Sequence, residues 1–477
     1  MVIKELIKKI IPPFLLRIYH YKLALLGAVI FGFPGLLRSR ASDGQGKNLI
    51  VIGVTGTSGK STTVDFITRI LEEAHSASSG QAGNKVASIS SIRFKVGDKE
   101  WENKYKMTMP GRFVIQKFLR QAKKAGCKYI VLEITSEGIR QFRHKFINFD
   151  TAVFTNLTPE HIESHGSFEN YRNEKLKLFR ATKNIHIINI SDDNADYFWN
   201  TGAKEKIGYK LKAQNVKFKT TTQSSKIIEA ENIGTKDGVS FDVDGVRFNL
   251  NLIGDFNILN ALAAISVAKA YGIDLEVCKR ALEKIKAISG RMEIISVPIS
   301  SRILDGSAVG KSPIKVIVDY AHTPEQLENV YKILTHKLIN SSTHKLICVL
   351  GSCGGGRDKW KRPVLGEIAA KYCKEIIITN EDPYDEDPNQ ILSEIKSGIS
   401  NFHLTPAGGF PVGFFPISNF HEILDRKEAI KTAIKLAKPG DVVVITGKGS
   451  EPWMCVENGK KIPWDDRQIA REAVKNM

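Results

Sequence analysis

Short apolar runs that end in polar or glycine-rich turns recur along this chain. Residues 49–52, 128–133, 151–156 and 185–190 are such runs, and each has the length of a buried parallel strand. Helices are predicted between them, at residues 62–71 and, in a stretch rich in small apolar residues, at 256–271. The alternation of strand and helix predicts an α/β domain with a parallel sheet over residues 48–290.

The pattern starts again near residue 290. Runs at 315–319, 345–350, 375–379 and 441–446 predict strands, with helices predicted at 323–334 and 362–372. We therefore expect a second α/β domain of Rossmann-like order over residues 291–477. Residues 238–252 differ because apolar and polar positions alternate around the turn pair Asp244-Gly245, which predicts an antiparallel flap inside the first domain.

Residues 1–47 have a third pattern. The fifteen residues 23–37 carry no charge, and lysines and an arginine flank the apolar residues before them. This run is shorter than the roughly 20 residues with which a helix crosses a bilayer. We expect one or two apolar helices that pack on the body or lie on a membrane surface, followed by a linker at 39–47.

The composition is that of a soluble globular protein, with 42% hydrophobic and 25% charged residues. We attribute the formal net charge of +18 mainly to a general excess of lysine, with anionic substrates contributing. No basic run with interleaved aromatic residues indicates nucleic-acid binding. The six cysteines are scattered without a C-x-x-C pair, which argues against a disulfide framework or a zinc site and for a reducing, cytoplasmic compartment.

A phosphate-binding loop follows the first predicted strand, in the stretch LIVIGVTGTSGKSTTVDFI. Its glycines, at positions 53, 56 and 59, let backbone N–H groups curl around an anion. Lys60 is placed to reach the β- and γ-phosphates of ATP, and the Ser61 hydroxyl to reach Mg²⁺. The N-terminus of the next helix adds partial positive charge. The sequence therefore predicts ATP and Mg²⁺ as cofactors.

Polar side chains follow two further predicted strands. Glu133 ends the strand at 128–133, and His161 follows the strand at 151–156, with Lys175 fourteen residues later. Ligands bind at the carboxyl ends of parallel strands, and a carboxylate beside a phosphate loop suits Mg²⁺. Taken alone, Glu133 is equally well explained as a solvated strand end, and His161 as a structural histidine.

Ten motifs resemble those of the Mur ligase family and occur in the family's order. They are VTGTSGKST, LEITSEGIRQFRH, TNLTPEHIESHG, NEKLKLF, GDFNILNALAA, SGRMEII, VDYAHTPEQLENV, GSCGGGRDKWKRP, NEDPYDEDP and TGKGSE. Within the family they are most similar to the members that add the third residue of the peptidoglycan stem peptide. The resemblance implies a central P-loop ATPase domain and a Rossmann-like C-terminal domain. It also implies a ligase that makes an acyl-phosphate from ATP and joins it to an incoming amine.

The resemblance assigns site residues. The implied catalytic residues are Lys60, Glu133, His161 and Lys175. The implied ATP-binding residues are Gly56, Thr57, Ser58, Gly59, Lys60, Ser61, Thr62, Asn257, Asn260, Arg291, Asp319 and His322. The residues implied to bind the muramyl-peptide or the amino acid are Thr108, Ser136, Gln141, Arg143, Asp382, Tyr384, Gly447 and Glu451. The implied metal ligands are Ser61, Glu133, His161 and, if it is carbamylated, Lys175; a plain lysine facing the γ-phosphate is the alternative.

The chain departs from the family at four points. Only about fifty residues precede the phosphate loop, where the family has a domain that grips UDP. Residues 108–110 read Thr-Met-Pro in place of Thr-Thr-Pro, and Glu137 and Ser450 stand where the family often has His. Tyr384 replaces the Arg that, in diaminopimelate-adding members, pairs with the far carboxylate of the incoming residue.

We expect an ATP-dependent ligase that adds a third amino acid to a UDP-N-acetylmuramoyl-dipeptide in the cytoplasm. It is expected to be a monomer with no nucleic-acid partner and with a peripheral membrane contact through residues 1–40. Acidic residues around Tyr384 favour a basic amino acid over diaminopimelate, while Arg357, Lys361 and Arg362 could restore a site for a second carboxylate. Two alternatives stay open: a Mur-type ligase for a lipid-linked muramyl-peptide or a polyglutamate, and a P-loop ATPase that does not ligate.

Overall fold

The apolar runs form the strands of two separate sheets, which confirms the predicted α/β fold class. The computed structural model describes residues 12–36, 49–76, 85–105, 107–216, 226–236, 238–296, 314–338, 344–404 and 419–476. Contacts divide them into two units. The N-terminal unit holds the described residues of 12–159 and 165–286, and the C-terminal unit holds those of 160–164 and 287–476.

The N-terminal unit is built on a sheet in which the described strands number eleven. Its strands are β1 (Ile50–Thr55), β2 (Lys85–Ile89), β3 (Arg93–Val96), β4 (Lys99–Glu102), β5 (Cys127–Glu133), β6 (Thr151–Phe154), β7 (Ile185–Asn189), β8 (Glu205–Leu211), β9 (Lys226–Gly234), β10 (Val239–Val243) and β11 (Val246–Leu250). Its helices are α1 (Pro13–Ile30), α2 (Lys60–Ser76), α3 (Arg112–Lys124), α4 (Ser136–Arg140), α5 (Ile162–His165, which begins in the C-terminal unit), α6 (Phe168–Ala181), α7 (Ala195–Trp199), α8 (Phe256–Ala270) and α9 (Leu275–Glu283).

The strand order is β11-β10-β9-β8-β7-β6-β1-β5-β2-β3-β4. The strands from β9 to β2 in that order run parallel. The apolar side chains of the central strands β1, β5, β6 and β7 are buried on both faces, as continuous apolar runs predict, and β1 is buried from Val51 to Thr55.

The register of three neighbouring strands brings their carboxyl ends to one edge. Val54 of β1 is paired with Glu133 of β5, and Thr55 is paired with Phe154 of β6. The phosphate loop, the Glu133 carboxylate and the loop after Phe154 therefore begin at the same level of the sheet. This is the edge at which parallel α/β sheets bind their ligands.

The hairpin predicted at residues 238–252 is present, but it does not form a separate flap. β10 and β11 pair antiparallel around Asp244 and Gly245, both of which have positive φ. β10 also pairs with β9, which itself lies parallel to β8. The hairpin thus extends the main sheet, because its backbone groups satisfy an edge that would otherwise be unpaired.

Helix α1 forms part of the predicted N-terminal helical segment and packs on α3. The two helices are close at Gly27, where an added Cβ would lie in ordinary van der Waals contact, 3.7 Å from backbone atoms of Arg112 and Phe113. Among the helices of the described residues, none combines the length and the apolar character needed to cross a membrane. The predicted linker at 39–47 lies outside the described residues.

The C-terminal unit has a second sheet, with six described strands in the order β12-β13-β17-β14-β15-β16. This sheet consists of β12 (Glu293–Ser296), β13 (Lys315–Val318), β14 (Leu346–Leu350), β15 (Glu375–Ile378), β16 (Asn419–Glu422) and β17 (Val442–Ile445). A separate hairpin is formed by β18 (Trp453–Cys455) and β19 (Lys461–Pro463). Its helices are α10 (Pro324–Leu338), α11 (Lys361–Tyr372), α12 (Pro388–Leu404), α13 (Arg426–Leu436) and α14 (Asp466–Lys475). Within the six-stranded sheet, all neighbouring strands pair parallel except β12 with β13.

The parallel register again aligns strand ends. Ile445 of β17 is paired with Val318 of β13 and with Val349 of β14, and Leu350 is paired with Ile378 of β15. The loops at residues 319–323, 351–360, 379–387 and 446–452 therefore leave from one edge of this sheet.

A buried ion pair between Arg426 and Asp466 fixes one of these loops. Both side chains are fully buried, and Nη2 of Arg426 donates at 2.7 Å to Oδ2 of Asp466 and at 2.7 Å to the carbonyl oxygen of Thr446. Nε1 of Trp464 donates to Oδ1 of the same carboxylate at 2.8 Å. Because Thr446 directly follows β17, this pair anchors the start of the loop at 447–451.

Replacing Arg426 with Met should lower the free energy of unfolding by about 3–5 kcal/mol, because Asp466 would be left buried without its cation. The matched control is Lys431→Met on the same helix, whose exposed pair with Glu428 has a distance of 2.7 Å. The control should lose less than about 1 kcal/mol. Urea denaturation of both variants measures the difference, and equal losses would show that the buried pair does not carry this stability.

Candidate active site

The phosphate loop between β1 and α2 is held in shape by the end of β6. The backbone N–H of Ser58 donates to Oδ1 of Asn156 at 2.8 Å, and that of Thr57 donates to the Asn156 carbonyl oxygen at 2.9 Å. Gly56 and Gly59 both have positive φ. A Cβ would collide with Oγ1 of Thr155 at Gly56 and with the Asn260 amide at Gly59, so both positions require glycine.

An oxygen cluster lies at the first turn of α2. Oε2 of the buried Glu133 accepts hydrogen bonds from Oγ of Ser61 at 2.8 Å and from the backbone N–H of Ser91 at 2.9 Å. The Ser61 and Ser91 hydroxyl oxygens are 2.6 Å apart. A carboxylate and hydroxyls are hard oxygen donors, and Mg²⁺ is usually bound through one or two carboxylates plus substrate phosphates and water. These residues fit Mg²⁺.

Within the described residues, no three or more His, Cys, Asp or Glu side chains are grouped so that they could hold a metal ion. A magnesium ion bound jointly by Glu133, Ser61 and phosphate oxygens does not need such a group.

Two lysines lie at the phosphate loop. Nζ of Lys60 donates to the Thr57 carbonyl oxygen at 2.7 Å, so its ammonium group lies against the loop. Lys175 projects from α6 and is buried; its Nζ donates to the Gly56 carbonyl oxygen at 2.7 Å and lies 4.6 Å from the centre of the Tyr171 ring. The Tyr171 hydroxyl is 3.1 Å from Oγ1 of Thr57, so α6 contacts the loop twice.

Asn257 and Asn260 lie together on α8, and both are buried. Nδ2 of Asn260 donates to Oδ1 of Asn257 at 3.3 Å, and Nδ2 of Asn257 donates to the Ile253 carbonyl oxygen at 2.9 Å. Oδ1 of Asn260 accepts from Oγ1 of Thr63 at 3.4 Å. The pair therefore lies against the phosphate loop and the first turn of α2, and its adenine role remains a prediction.

The predicted peptide-binding residues form a second group in the same unit. Nη2 of Arg143 donates to Oε1 of Gln141 at 2.8 Å, and Nη1 donates to the carbonyl oxygen of Met109, the residue after Thr108. Ser136, at the start of α4, has its hydroxyl 3.2 Å from Nε2 of His165.

Arg143 is buried. Burial, and then the neighbouring charge of Arg112, lowers the pKa of Arg143 to about 10. The guanidinium is therefore still charged at neutral pH, and its described hydrogen bonds go to uncharged acceptors, so an anionic substrate group would stabilise it.

In the C-terminal unit, Asp319 follows β13 and is buried. Its carboxylate accepts from the backbone N–H groups of Met292 and Ala321, both at 2.7 Å. Burial raises the pKa of Asp319, against the opposing effect of the Arg291 charge. The Arg291 guanidinium lies 4.2 Å from the centre of the ring of Tyr320, the residue after Asp319.

His161 and His322, both in the C-terminal unit, flank a buried glutamate. Nε2 of His322 lies 3.1 Å from Oε1 of Glu160, and Nε2 of His161 lies 3.6 Å from the same oxygen. Burial alone would raise the pKa of Glu160, but the charges of His161 and His322 and the His322 hydrogen bond hold it well below the usual value. His161 has positive φ, and its Nδ1 is 3.3 Å from Nη1 of Arg357. Glu133 and His161 belong to different units, so their joint role as metal ligands remains a prediction.

The loops after β15 and β17 share a buried charge network. Nζ of Lys448 donates to Oδ2 of Asp382 at 2.8 Å and to Oε2 of Glu451 at 2.6 Å. The pKa of Lys448 is raised: burial opposes the charged form, but the Glu451 and Asp382 carboxylates favour it. Asp382 also accepts from the Cys455 N–H at 2.6 Å. Gly447 has positive φ, and a Cβ there would collide with the Glu381 carboxylate.

Of Arg357, Lys361 and Arg362, which could restore a site for a second substrate carboxylate, two make hydrogen bonds to other groups of the protein. Arg362 is fully buried and donates to Glu394 at 2.6 Å and to Glu386 at 2.9 Å. Lys361 is buried and donates to the His322 carbonyl oxygen at 3.0 Å. Arg357 remains exposed.

The expected acidic character of the loop is also reduced. Glu386 pairs with Arg362, Asp385 accepts from the Asn458 N–H at 2.7 Å, and Asp387 accepts from the Asn389 N–H at 2.9 Å. Glu381 differs, because Oε2 of this buried carboxylate has no hydrogen-bond partner among the described residues.

Sequence reasoning missed four residues of these groups. Lys448 lies inside the TGKGSE motif and Glu381 lies beside Asp382, so the motifs themselves contain the signal for both residues. Tyr171 lies on α6 one turn before Lys175, and this spacing predicts that the two side chains share one face of the helix. Ser91 lies in the turn after β2 and has no motif; only the pairing of β2 with β5 brings it to Glu133.

Comparison with known proteins gives consistent matches. Residues 54–268 match the model of the Mur ligase middle domain, and residues 290–449 match that of the Mur ligase glutamate ligase domain. The UDP-N-acetylmuramoyl-L-alanyl-D-glutamate–2,6-diaminopimelate ligase of Syntrophomonas wolfei is 35% identical, over 95% of this chain and 81% of that protein. The UDP-N-acetylmuramyl-tripeptide synthetase of a Roseiflexus species is 34% identical, over 98% and 85%. A solved UDP-N-acetylmuramoyl-L-alanyl-D-glutamate–2,6-diaminopimelate ligase has a TM-score of 0.54 at 27% identity and covers 90% of this chain and 78% of its own.

Replacing Lys175 with Ala should nearly abolish amino-acid-dependent ADP release, because the phosphate loop would lose the group that contacts Gly56. If Lys175 is carbamylated, short carboxylates such as acetate should partly restore the rate by supplying the lost oxygen ligand. Lys177→Ala is the matched control on the same helix, since the Lys177 side chain is partly exposed and pairs with Glu174. Full activity of the Lys175 variant would exclude a catalytic role, and an inactive variant without rescue would favour a plain lysine.

Proposed function

The chain belongs to the Mur ligase family of ATP-dependent, amide-bond-forming ligases, and we propose that it adds the third amino acid to UDP-N-acetylmuramoyl-L-alanyl-D-glutamate in peptidoglycan precursor synthesis. The observation that carries the proposal is the oxygen cluster of Ser61, Ser91 and Glu133 beside the phosphate loop. Its oxygen atoms would bind Mg²⁺ next to the γ-phosphate of ATP. We further propose that the chain acts as a monomer in the cytoplasm.

The proposed reaction has two steps. A carboxylate of the muramyl-dipeptide takes the γ-phosphoryl group of ATP, releasing ADP, and the amine of the incoming amino acid then displaces phosphate from the acyl-phosphate with loss of a proton. The N–H groups of residues 56–61 and the Lys60 ammonium hold the phosphates. Ser61 and Glu133 would hold Mg²⁺, which neutralises charge on the transferring group. Lys175 supports the loop through Gly56 or, if carbamylated, supplies a further oxygen ligand.

The remaining predicted residues receive roles by the same proposal. Asn257 and Asn260 would recognise adenine through their amides. Arg291, Asp319 and His322 would contact the ribose and phosphates of ATP. The muramyl-peptide would be contacted by Thr108, Ser136, Gln141 and Arg143. Of these, Arg143 supplies a charged guanidinium for a substrate carboxylate.

We propose a basic amino acid as the incoming substrate. Tyr384 cannot pair with a second carboxylate as an arginine would, since a phenol has no charge at neutral pH. Arg362 and Lys361 are engaged in contacts of their own, whereas Glu381 keeps one oxygen without a described partner. That oxygen is suited to an ammonium group. Asp382, Gly447 and Glu451 would complete the amino-acid site through the Lys448 network.

The function is tested by measuring ADP release with the muramyl-dipeptide, with and without amino acids. Wild-type release should require an amino acid and should match amide formation. Glu133→Gln should lower the rate about 100-fold or more, since loss of even indirect metal contacts costs roughly 10- to 100-fold. Glu102→Gln, an exposed change on β4, is the control. ATP turnover that is indifferent to amino acids would instead identify a P-loop ATPase that does not ligate.

The choice of amino acid is tested by comparing kcat/KM for lysine and meso-diaminopimelate. Wild type should favour lysine, and Tyr384→Arg should shift the ratio toward diaminopimelate by at least tenfold, about 1.4 kcal/mol. Tyr384→Phe, which keeps the ring, should leave the ratio unchanged. A tenfold wild-type preference for diaminopimelate would contradict the proposal, and Arg357→Gln would then show whether the exposed Arg357 binds the second carboxylate.

A further inference from the structure

Helix α1 packs on the protein through small side chains and exposes large apolar ones, the reverse of what is expected of a surface helix. The side facing α3 carries small residues, and Ala24, Gly27 and Ala28 are buried there, Ala28 completely. The outward side carries aromatic and branched residues: Phe14 is 61% exposed and Val29 55%. A surface helix of a soluble protein normally places apolar residues inward and polar residues outward.

The outward residues form one continuous face. At about 100° per residue, positions 14, 15, 18, 19, 22, 25, 26, 29 and 30 fall within less than half of the helix circumference. They are Phe14, Leu15, Ile18, Tyr19, Lys22, Leu25, Leu26, Val29 and Ile30, and all are exposed. Only Lys22 among them is charged. A largely apolar exposed face of this kind, with Lys22 as its one charged member, indicates an apolar surrounding on the outer side of α1.

The charge of the segment indicates which surrounding that is. α1 contains Arg17 and Lys22 and no acidic residue. Residues 1–47 carry eight Lys or Arg residues against two acidic ones, Glu5 and Asp43. Apolar and aromatic residues combined with basic ones are typical of helices that lie in the interface of an anionic bilayer, whereas a protein interface normally carries polar groups that pair across it. We propose that the outward face of α1 docks on an anionic lipid bilayer.

The inward side of α1 connects this face to the proposed peptide-binding segment. Nδ1 of His20 lies 2.6 Å from Nη2 of Arg112, which donates at 2.8 Å to the Gln141 carbonyl oxygen. The Tyr21 ring is 5.8 Å from that of Phe142 and 5.6 Å from that of Phe146. Docking therefore brings residues 141–143 close to the lipid headgroups. The docking itself is independent of the proposed function.

Co-sedimentation of the full chain with vesicles tests the docking. Phosphatidylcholine vesicles with and without phosphatidylglycerol are compared for wild type, for L26E/V29E on α1 and for the control I227E/I233E. The control residues lie on β9 and are exposed to a similar extent. Wild type and control should bind the anionic vesicles, and L26E/V29E should bind at least about tenfold less. R17Q/K22Q should lose the preference for phosphatidylglycerol.

ADP release with the soluble substrate shows that each variant is folded, since none of the changed residues belongs to the proposed site. Equal release by all variants together with selective loss of vesicle binding supports the docking. Failure of wild type to bind vesicles overturns it, as does equal binding by L26E/V29E. Sedimentation velocity identifies one alternative: a wild-type dimer that L26E/V29E converts to monomer, without vesicle binding, would assign the face to a second copy of the chain. A chain that docks but releases no ADP contradicts the proposed function and leaves the docking intact.

Discussion

The parallel pairing of β1 with β5 and β6 is the constraint on which the N-terminal site depends. Parallel strands point the same way, so their carboxyl ends meet at one edge. The register places Glu133 opposite Val54, one residue before the end of β1. The contact of Glu133 with Ser61 follows from this register. The support of the loop by Asn156 follows from the pairing of β1 with β6, and the arrival of Ser91 follows from the pairing of β2 with β5. A shift of one residue would turn Glu133 to the other face of the sheet.

Residues that combine a strand end with a turn motif could be predicted from the sequence. Lys60, Ser61 and Glu133 are of this kind, since an apolar run fixes the strand and the polar residue after it must lie at its carboxyl end. The predicted run at 49–52 and the observed strand Ile50–Thr55 differ by a few residues, because hydrogen bonding continues into the glycine-rich turn. Strands β3 and β4 could not be found in the same way: they lie at the edge, carry charged side chains and contain no apolar run.

The C-terminal unit shows why charged residues could not be assigned to the amino-acid site merely from their positions along the chain. Arg362, Glu386 and Asp387 stand close to Tyr384 in the chain, yet they form ion pairs and caps that hold the loops in place. Pairing of buried charges is needed because an unpaired one costs several kcal/mol. What distinguishes Glu381 is visible only in three dimensions: the missing Cβ of Gly447 leaves room for its carboxylate, and one oxygen has no described partner.

The contact between Gly59 and Asn260 holds the phosphate loop and helix α8 against each other. The Asn260 amide fills the space that a Cβ at position 59 would occupy, so loop and helix α8 interlock at this point. The loop cannot move toward α8 without a steric clash with the Asn260 amide. A rotation of that amide would change the space available to the loop. A larger side chain at position 59 would therefore force the loop and helix α8 apart, so the conformation of the loop depends on how closely α8 packs against it.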